Sequence, residues 1–295
     1  MRMLTPAAFD SCARGSQEAV RSLNSAGMAE KRASEARELE AFLEREVYAD
    51  ESVSLQAAFE ISAADLKYVN QVAGGQKSAN YGEVLPSSWI RVLDFVKPTR
   101  DDCFYDLGSG RGVLTVLTHL YCGLRRSVGV ELSRERHTMA LKALKALQRS
   151  ARKEAAPGLS FANEDIRTCD LSDATFVFLM NQDMPHKLNA DVWRRLLALG
   201  RPLTVATLHA PKDVNLGGLR PQRTLSLPQT WKGAVDLHIY RLPGGPVPVA
   251  PRAAVCVVVP KRPREEEAPP TERVATVGKT TGGGASGSAN RAGPS

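Results

Sequence analysis

The sequence has little of what marks a secreted, membrane-spanning or metal-binding protein. Its 295 residues include five cysteines but no Cys-x-x-Cys pair, which argues against a disulfide framework and against a zinc site. No apolar run reaches the roughly 18 residues of a membrane-spanning helix, and the first residues lack the apolar stretch of a secretory signal. We therefore expect an intracellular, reduced protein without a membrane contact or a bound metal.

The sequence also has no large excess of one charge sign, because the formal net charge is only +7 over 295 residues. The charge is unevenly distributed, with −3 over residues 1–79, +7 over residues 80–243 and +3 over residues 244–295. A basic body beside a basic terminal segment is typical of proteins that bind polyanions. Two interpretations stay open at this point, a nucleic-acid or chromatin partner and a charge that only aids solubility.

Composition and patterning divide the chain into three predicted regions. Residues 1–79 form a helical N-terminal region whose first 30 or so residues are weakly patterned and loose. Within it, one helix face carries apolar residues at helical spacing, namely Leu39, Phe42, Leu43 and Val47. Residues 244–295 contain many prolines and glycines, so we expect a mostly disordered basic tail. Its cluster Lys261–Arg264 fits either a nuclear localisation signal or a phosphate contact.

The middle region, residues 80–243, alternates strand-like and helix-like segments. Runs rich in β-branched and aromatic residues predict strands at Cys103–Leu107, Ser127–Glu131, Leu159–Asn163, Ala174–Met180 and Leu203–Leu208. Intervening stretches predict helices at Pro86–Val96, Val113–Tyr121, Arg134–Lys153 and Ala190–Leu199. This order predicts an α/β, Rossmann-like fold with a mostly parallel sheet. Two later runs predict a hairpin that adds an antiparallel edge, at Arg223–Leu227 and Val235–Leu242.

The strongest motif is a glycine loop between the first predicted strand and the next helix, Asp106-Leu-Gly108-Ser-Gly110-Arg-Gly112. Glycines allow a sharp turn and a close approach of a ligand, and the amides at a helix start attract a carboxylate or phosphate. The third glycine comes one residue too early for a dinucleotide fingerprint. The spacing instead resembles the S-adenosylmethionine loop of class I methyltransferases. That resemblance implies that Asp106 accepts a hydrogen bond from the cofactor's ammonium group, directly or through water.

Two more acidic residues follow the next two predicted strands. Glu131 ends the second strand, where a carboxylate can accept both hydroxyls of a ribose. Asp165 follows the third strand and is placed to meet an adenine amino group, with Ile166 or Phe161 against the ring. Three acids after three successive strands therefore predict a cofactor site.

Three further segments complete a family pattern, namely Asn80-Tyr81-Gly82-Glu83-Val84, Phe178-Leu-Met-Asn181-Gln-Asp183 and Thr230-Trp231-Lys232-Gly233. Together with the glycine loop they resemble the non-SET histone H3 lysine methyltransferases of the disruptor-of-telomeric-silencing family, over residues 80–242. The resemblance implies a class I fold, S-adenosyl-L-methionine as the cofactor and a lysine in the globular core of histone H3, in nucleosomes, as the substrate. It also implies a nuclear location, and contacts between nucleosomal DNA phosphates and the basic body and tail.

The resemblance assigns roles to individual residues. The Tyr-Gly-Glu loop is expected to fold over the cofactor, and Asn181 to line the lysine channel, unless a shift of one residue gives that role to Gln182. A channel for a neutral lysine needs apolar walls, which we expect from Tyr81, Trp231 and Phe178. The residues implied nearest to the transfer are Asn181, Tyr81 and Trp231. The implied cofactor contacts are Tyr81, Glu83, Asp106, Gly108, Gly110, Gly112, Glu131, Asp165, Ile166 and Asn181.

The chain departs from the family pattern on the side of the methyl acceptor. The family usually has two adjacent asparagines followed by an aromatic, where this chain has Asn181-Gln-Asp. For the aromatic that the last strand contributes to the channel, Leu237 or His238 falls near the expected place and Tyr240 lies two residues further on. The acceptor is therefore less directly indicated than the cofactor.

Two alternatives to histone methylation follow from the sequence. One is an S-adenosylmethionine-dependent methyltransferase that acts on RNA or on a non-histone protein. The other is a non-catalytic chromatin-binding module whose site has decayed. Because Asp106, Glu131 and Asp165 are all present, an active enzyme is the favoured prediction.

Overall fold

The computed structural model describes residues 30–230 and 233–245. Three sequence predictions concern residues outside the described ranges. They are the loose N-terminal stretch, the role of Trp231 in the channel, and the disordered basic tail beyond residue 245 with its basic cluster. The helices are α1 (30–42), α2 (Leu55–Phe59), α3 (Ala63–Ala73), α4 (Pro86–Val96), α5 (Val113–Cys122), α6 (Arg134–Arg149) and α7 (His186–Ala198). The strands are β1 (Cys103–Leu107), β2 (Arg126–Val130), β3 (Leu159–Ala162), β4 (Phe176–Leu179), β5 (Leu203–Thr207), β6 (Arg223–Pro228) and β7 (Ala234–Leu242).

The seven strands form one sheet in the order β3-β2-β1-β4-β5-β7-β6. Strands β1 to β5 pair in parallel, and β7 pairs antiparallel with both β5 and β6. The predicted α/β fold with an antiparallel edge hairpin is thereby confirmed. Central strands β1, β4 and β5 are buried at every position, as expected for a parallel sheet that helices cover on both faces.

An aromatic cluster on one face of the sheet holds α4 in place. Trp89 lies fully buried, with its ring 4.6 Å from that of Phe178 and parallel to that of Phe176. Its indole N–H donates to the Thr118 hydroxyl at 2.7 Å, so the buried polar group is satisfied. Because α4 directly follows the Tyr-Gly-Glu loop, this packing fixes one end of that loop over the sheet.

The sheet topology places the predicted site residues at a single edge. The chain crosses from β1 to β2 and β3 on one side, and then to β4 and β5 on the other, so a crevice opens at the carboxyl ends of β1 and β4. The glycine loop, Glu131, Asp165 and Asn181 follow β1, β2, β3 and β4 respectively. They therefore face the same crevice edge.

The N-terminal helices pack across this edge and close one side of the crevice. Asp65 of α3 accepts hydrogen bonds from the Ser133 hydroxyl at 2.5 Å and from the Glu135 amide at 3.1 Å, at the start of α6. A carboxylate there also complements the helix dipole. Arg136 donates from Nε to the carbonyl of Ala58 at 2.9 Å. The helical N-terminal segment is thus bonded directly to the methyltransferase-like fold.

Two helix ends differ from the predicted ones by more than one residue. Helix α7 begins at His186 rather than at Ala190, because Pro185 suits a helix start and Leu188 already joins the buried face. Helix α6 ends at Arg149 rather than at Lys153, and a separate 3-10 turn covers Lys153–Ala155. Within the part of the chain that the structure describes, no helix is both long and apolar enough to span a bilayer.

Candidate functional site

The glycine loop after β1 adopts a backbone that only glycine tolerates well. Gly108, Gly110 and Gly112 have φ values of 95°, 56° and 88°, in the left-handed region that L side chains rarely adopt. A Cβ on Gly110 would lie 2.4 Å from the Tyr81 ring, and one on Gly112 would lie 2.6 Å from the Phe161 ring. The loop is therefore built so that two aromatic rings can lie directly against its backbone.

Asp106 is a buried carboxylate with an unused hydrogen-bonding atom. It is only 2% exposed, and its Oδ2 accepts from the Thr115 hydroxyl at 2.9 Å. Its Oδ1 has no hydrogen-bond partner among the described residues. Burial raises the pKa of Asp106 to about 7, the Thr115 bond opposes this rise, and the nearby Glu131 and Glu83 charges add to it. A cationic donor beside Oδ1 would therefore be favoured strongly.

Tyr81 and Glu83 form a network with the glycine loop. The Tyr81 hydroxyl donates to Glu83 Oε1 at 2.5 Å and accepts from the Arg111 amide at 3.3 Å. Arg111 makes a two-point ion pair with Glu83, from Nε at 2.7 Å and from Nη2 at 2.9 Å. Burial raises the pKa of Tyr81 well above its usual range, and Glu83 adds to the effect. The Tyr-Gly-Glu loop thus lies over the glycine loop, and the expectation that it folds over the cofactor stays a prediction.

A small cavity of about 20 Å³ lies between these two loops. Its walls include Tyr81, Glu83, Asp106 and Gly108, with Phe178 and Met180 among its apolar lining. This volume is about that of one small polar group or a single water molecule. The Ser109 hydroxyl, which also lines the cavity, is buried and has no hydrogen-bond partner in the described part of the chain. Two unsatisfied polar atoms thus border a space for one small group.

Glu131 lies at the end of β2 with both carboxylate oxygens facing the crevice edge. Oε2 accepts from the Gly110 amide at 2.8 Å, and Oε1 accepts from the Ser133 amide at 2.7 Å. Each oxygen uses one lone pair in these bonds, so each can accept once more, for example from the two hydroxyls of a ribose. Burial raises the pKa of Glu131, while the Arg136 charge and the two amide bonds oppose the rise.

Asp165 has the predicted position, but its carboxylate is already engaged. Arg167 donates to it from the backbone amide at 2.8 Å and from Nε at 2.9 Å, and the guanidinium also bonds to Oδ2. Nη2 of Arg167 donates in addition to the carbonyl of Val72 at 2.9 Å. The structure therefore places Asp165 at the cleft wall with most of its lone pairs used. Its direct contact with an adenine stays a prediction.

A cleft of about 430 Å³ connects these elements. Five of the predicted cofactor contacts line it, namely Tyr81, Gly108, Glu131, Asp165 and Ile166. The N-terminal segment supplies the opposite wall through Phe59, Leu66 and Val69. Apolar walls with a few polar groups are typical of small-molecule sites. Phe161 does not line this cleft. Its ring instead lies where Cβ atoms on Gly112 and Gly129 would be.

Asn181 does not offer the free amide that a lysine channel needs. It is 2% exposed, and its Nδ2 donates to Asn189 Oδ1 at 2.9 Å and to the carbonyl of His209 at 2.7 Å. Its Oδ1 accepts from the Leu208 and His209 amides at 3.1 and 2.9 Å. One hydrogen bond goes to Asn189 of α7, and the other three hold the segment after β5 against the end of β4, so all of its donors and acceptors are used. The neighbouring Gln182 does line the cleft, beside Met180 and Asp183.

Two residues that the sequence analysis did not select are central to the site. Arg111 lies between two loop glycines and pairs with Glu83, and Arg136 lines the cleft with its guanidinium 4.4 Å from the Tyr81 ring centre. The sequence feature that could have indicated Arg111 is its charge, because the other residues from Gly108 to Gly112 are glycine or serine. Within the described residues, no group of three or more His, Cys, Asp and Glu side chains is placed to hold a metal ion.

The arrangement fits the predicted cofactor by its own chemistry. An ammonium group would satisfy Asp106 Oδ1, a diol would satisfy Glu131, and an aliphatic or aromatic portion would meet Ile166 and the apolar walls of the cleft. At Gly108 the nearest atom to a Cβ would be 4.0 Å away, so a ligand has room to touch the loop backbone there. The residues present thus fit a nucleoside with a charged amino acid end.

Comparison with known proteins finds a family to which the central part of the chain is similar. Residues 69–209 match the family described as "Histone methylation protein DOT1". A curated relative, "Histone-lysine N-methyltransferase, H3 lysine-79 specific" from Caenorhabditis elegans, is 38% identical over 76 residues, which cover 26% of this chain. The chain spans only 8% of the length of that relative.

Two solved structures show a distant likeness to part of the chain. An RNA methyltransferase from Salinibacter ruber in complex with S-adenosyl-L-homocysteine has a TM-score of 0.38 and 25% identity, covering 52% of this chain and 89% of that one. A putative methyltransferase from Escherichia coli has a TM-score of 0.41 and 13% identity, covering 53% and 84%. These likenesses are distant, and the family match is the more specific finding. Over residues 69–209, just under half of its length, the chain is similar to the DOT1 family of histone methylation proteins.

Proposed function

We propose that this protein is a histone-lysine N-methyltransferase that transfers a methyl group from S-adenosylmethionine to a lysine in the globular core of histone H3 in nucleosomes. The observation that carries the proposal is that Glu131 and Gly108 of the left-handed glycine loop line the cleft, while Asp106 lines the small cavity that shares Gly108 with it, in a segment that matches the DOT1 family model. The matched relative is named for histone H3 lysine methylation, which supports the choice of acceptor.

Each part of the cofactor has a matching group in the cleft or in the small cavity beside it. Asp106 Oδ1 and the Ser109 hydroxyl, which border that cavity, suit the ammonium and carboxylate end. Glu131 suits the ribose hydroxyls, and Ile166 offers an apolar contact for the base. When bound, the cofactor supplies a sulfonium methyl group that an amine can attack in line. The protein's task is then to align the two molecules and to keep water out.

Residues of the chain itself close the cleft and favour a neutral amine. The Tyr81 ring lies over Gly110, and Phe59 packs edge-on against it at 5.6 Å between ring centres. Met180 and the buried Phe178 provide apolar surface at the end of β4. An apolar channel lowers the pKa of a lysine ammonium, so its nucleophilic neutral form is more populated there. We assign no side chain of the described residues as a strong general base.

The site and charge distribution extend the proposal to partners, location and organisation. The net charge of +7 over residues 80–243 suits contact with nucleosomal DNA phosphates, and a histone substrate implies a nuclear location. We propose that residues 1–79 form a helical N-terminal region, residues 80–243 the methyltransferase domain and residues 244–295 a basic tail. Because Asn181 has no unused amide atoms, the alternative of an amino-methylating RNA enzyme that uses this residue loses support.

The test is transfer of radiolabelled methyl from S-adenosylmethionine by the full chain to four acceptors: nucleosomes, free histone octamers, free H3 and total RNA. We expect label on H3 and the highest rate with nucleosomes. Label on RNA alone would support the alternative substrate. Normal cofactor binding without transfer to any acceptor would support a non-catalytic chromatin module instead.

A further inference from the structure

Arg111 is a buried cation in the glycine loop that joins three separate segments of the chain. Its side chain is 12% exposed, and it pairs through two hydrogen bonds with Glu83, whose side chain is 10% exposed. Nη1 donates to the carbonyl of Val53 at 3.0 Å, and the guanidinium carbon lies 4.8 Å from the centre of the Tyr48 ring. The Tyr48 hydroxyl in turn donates to the Arg111 carbonyl at 3.4 Å.

These contacts connect the N-terminal segment to the residues that would hold the cofactor. Tyr48 and Val53 belong to the turn between α1 and α2, and Glu83 belongs to the Tyr-Gly-Glu loop. Arg111 itself lies between Gly110 and Gly112. A shift of the glycine loop therefore moves the N-terminal segment as well, because one planar group is bonded to both.

Arg111 also sets the charge of the site. Glu83 and Glu131 both act on Asp106, so three buried acids lie near one another. Arg111 neutralises Glu83 and leaves Asp106 and Glu131 as the acids that face a ligand. Burial opposes the charge of Arg111, but the bonds and charge of Glu83 outweigh it and raise the pKa of Arg111. Without this cation, Glu83 would be a buried and unpaired carboxylate, which is costly.

We propose that Arg111 is a positioning residue that acts through Glu83, and that it couples cofactor binding to the ordering of residues 48–59. The inference rests on the proposed function in that the ligand is S-adenosylmethionine or its product. Arg111 holds Glu83 so that the Tyr81 hydroxyl has its acceptor and the Tyr81 ring stays over Gly110. Through Val53 and Tyr48, the same guanidinium fixes the N-terminal segment against the closed cleft.

The proposal predicts an unequal effect of two substitutions. Arg111→Met keeps the length and apolar contacts of the side chain but removes both bonds to Glu83 and the bond to Val53. Arg111→Lys keeps the charge but cannot make the planar two-point contact. We expect Arg111→Met to weaken S-adenosylhomocysteine binding by about tenfold or more, and Arg111→Lys to restore part of that loss. The matched control is Arg201→Met, since Arg201 donates to the carbonyl of Leu171, outside the cleft.

Three readouts on the full chain separate positioning from a general loss of structure. Calorimetry measures S-adenosylhomocysteine affinity, and kinetics with nucleosomes should show a raised KM for the cofactor with kcat changed by less than about threefold. Hydrogen–deuterium exchange should show that the ligand protects residues 48–59 in the wild type and in Arg201→Met, but not in Arg111→Met. In a Glu83→Gln background, Arg111→Met should cost less than about threefold in affinity, because no buried charge is left unpaired.

The outcomes distinguish failure of this inference from failure of the proposed function. If the wild type does not bind S-adenosylhomocysteine, the proposed function is wrong, and the coupling falls with it. If the wild type binds and Arg111→Met binds equally well, with the same protection of residues 48–59, the coupling is wrong while the function stands. An equal loss of affinity in the Glu83→Gln background would show that Arg111 does not act through Glu83.

Discussion

The two ends of the cleft are built in different ways. At the donor end, where the cofactor is proposed to bind, Asp106 and Glu131 lie at the ends of adjacent parallel strands. Asp106 Oδ1 has no hydrogen-bond partner within the described structure. At the acceptor end, Asn181 is fully bonded to protein atoms, and the cleft wall is formed by the segment after it, Gln182 and Asp183. We propose that the donor end is prepared to bind the cofactor, while the acceptor end is shaped by packing between segments that are distant in sequence.

This difference follows from the physics of the fold. The ends of parallel strands and a left-handed glycine loop hold backbone and carboxylate groups in nearly fixed positions. The same arrangement of groups is therefore expected wherever such a loop follows a strand. An acceptor channel needs only walls of suitable size and polarity, and different side chains can supply them. Substitutions at the donor end should therefore affect cofactor binding, and substitutions at the acceptor end should affect stability or substrate use.

Substituting Gly110 with arginine should have the largest effect. A Cβ there would lie 2.4 Å from the Tyr81 ring, and the residue has a φ of 56°. We expect loss of S-adenosylhomocysteine affinity by about a hundredfold or more, measured by calorimetry, because the ring must leave its place over the loop. Gly123→Arg is the matched control, since Gly123 has a φ of 60° but open space around it. An equal loss in both variants would mean that backbone strain alone is responsible.

Substituting Asp106 with asparagine should weaken S-adenosylhomocysteine binding less than Gly110→Arg does, but it should change the pH dependence of that binding. The pKa of Asp106 is raised to about 7 by burial, so below that pH the carboxyl holds a proton that a cationic ligand must displace. Wild-type affinity should therefore fall by up to about tenfold per unit as pH drops below 7. Asp106→Asn should lower affinity by about tenfold at pH 8 and flatten this slope. A slope that persists in the variant would exclude Asp106 as its origin, and the exposed Asp101 offers a control through Asp101→Asn.

The same raised pKa has a consequence for stability without ligand. A carboxyl whose folded pKa lies above its unfolded pKa binds its proton more tightly in the folded state. The contribution of the protonated Asp106 carboxyl to the free energy of unfolding is fully present below about pH 4. It is lost as the pH rises through 7. Asp106→Asn should therefore gain stability relative to the wild type as pH rises from 4 to 8, as seen in denaturant titrations.

At the acceptor end, Asn181→Ala should act on stability rather than on cofactor binding. The variant leaves the His209 and Leu208 amides without their buried acceptor. We expect a loss of about 2 kcal/mol in the free energy of unfolding, with S-adenosylhomocysteine affinity unchanged within about twofold. If affinity fell and the unfolding midpoint stayed the same, Asn181 would be a cofactor contact, as the family resemblance implies.

The smallest effect is expected for Gln182→Ala. Gln182 lines the cleft and has a partly exposed side chain, so its removal should leave both stability and cofactor affinity unchanged. The KM for nucleosomes should rise by about three- to tenfold, which is the contribution of one hydrogen bond or close contact. Gln148→Ala on the exposed side of α6 is the control. No change relative to that control would remove Gln182 from the acceptor channel.

The sequence predicted the fold well, because the fold depends on local patterns, whereas the cofactor contacts at the donor end stay predictions. Strand and helix periodicity located the elements, and D-x-G-x-G-x-G located the loop. The hydrogen bonds of Asn181 with His209 and the pairing of Asp165 with Arg167 could not be predicted. A sequence shows that a residue is polar, but it does not show which distant backbone group uses its bonds. Arg111 was missed for the same reason, since its partners are 28 and 58 residues away.

The central claim is tested most directly by mass spectrometry of histone H3 from nucleosomes incubated with S-adenosylmethionine and the full chain, beside the Gly110→Arg variant. The account predicts new methylation on a lysine of the globular core of H3 with the wild type and none with the variant. Unmodified H3 with a wild-type protein that binds the cofactor normally, or methylation confined to RNA or other proteins, would contradict it.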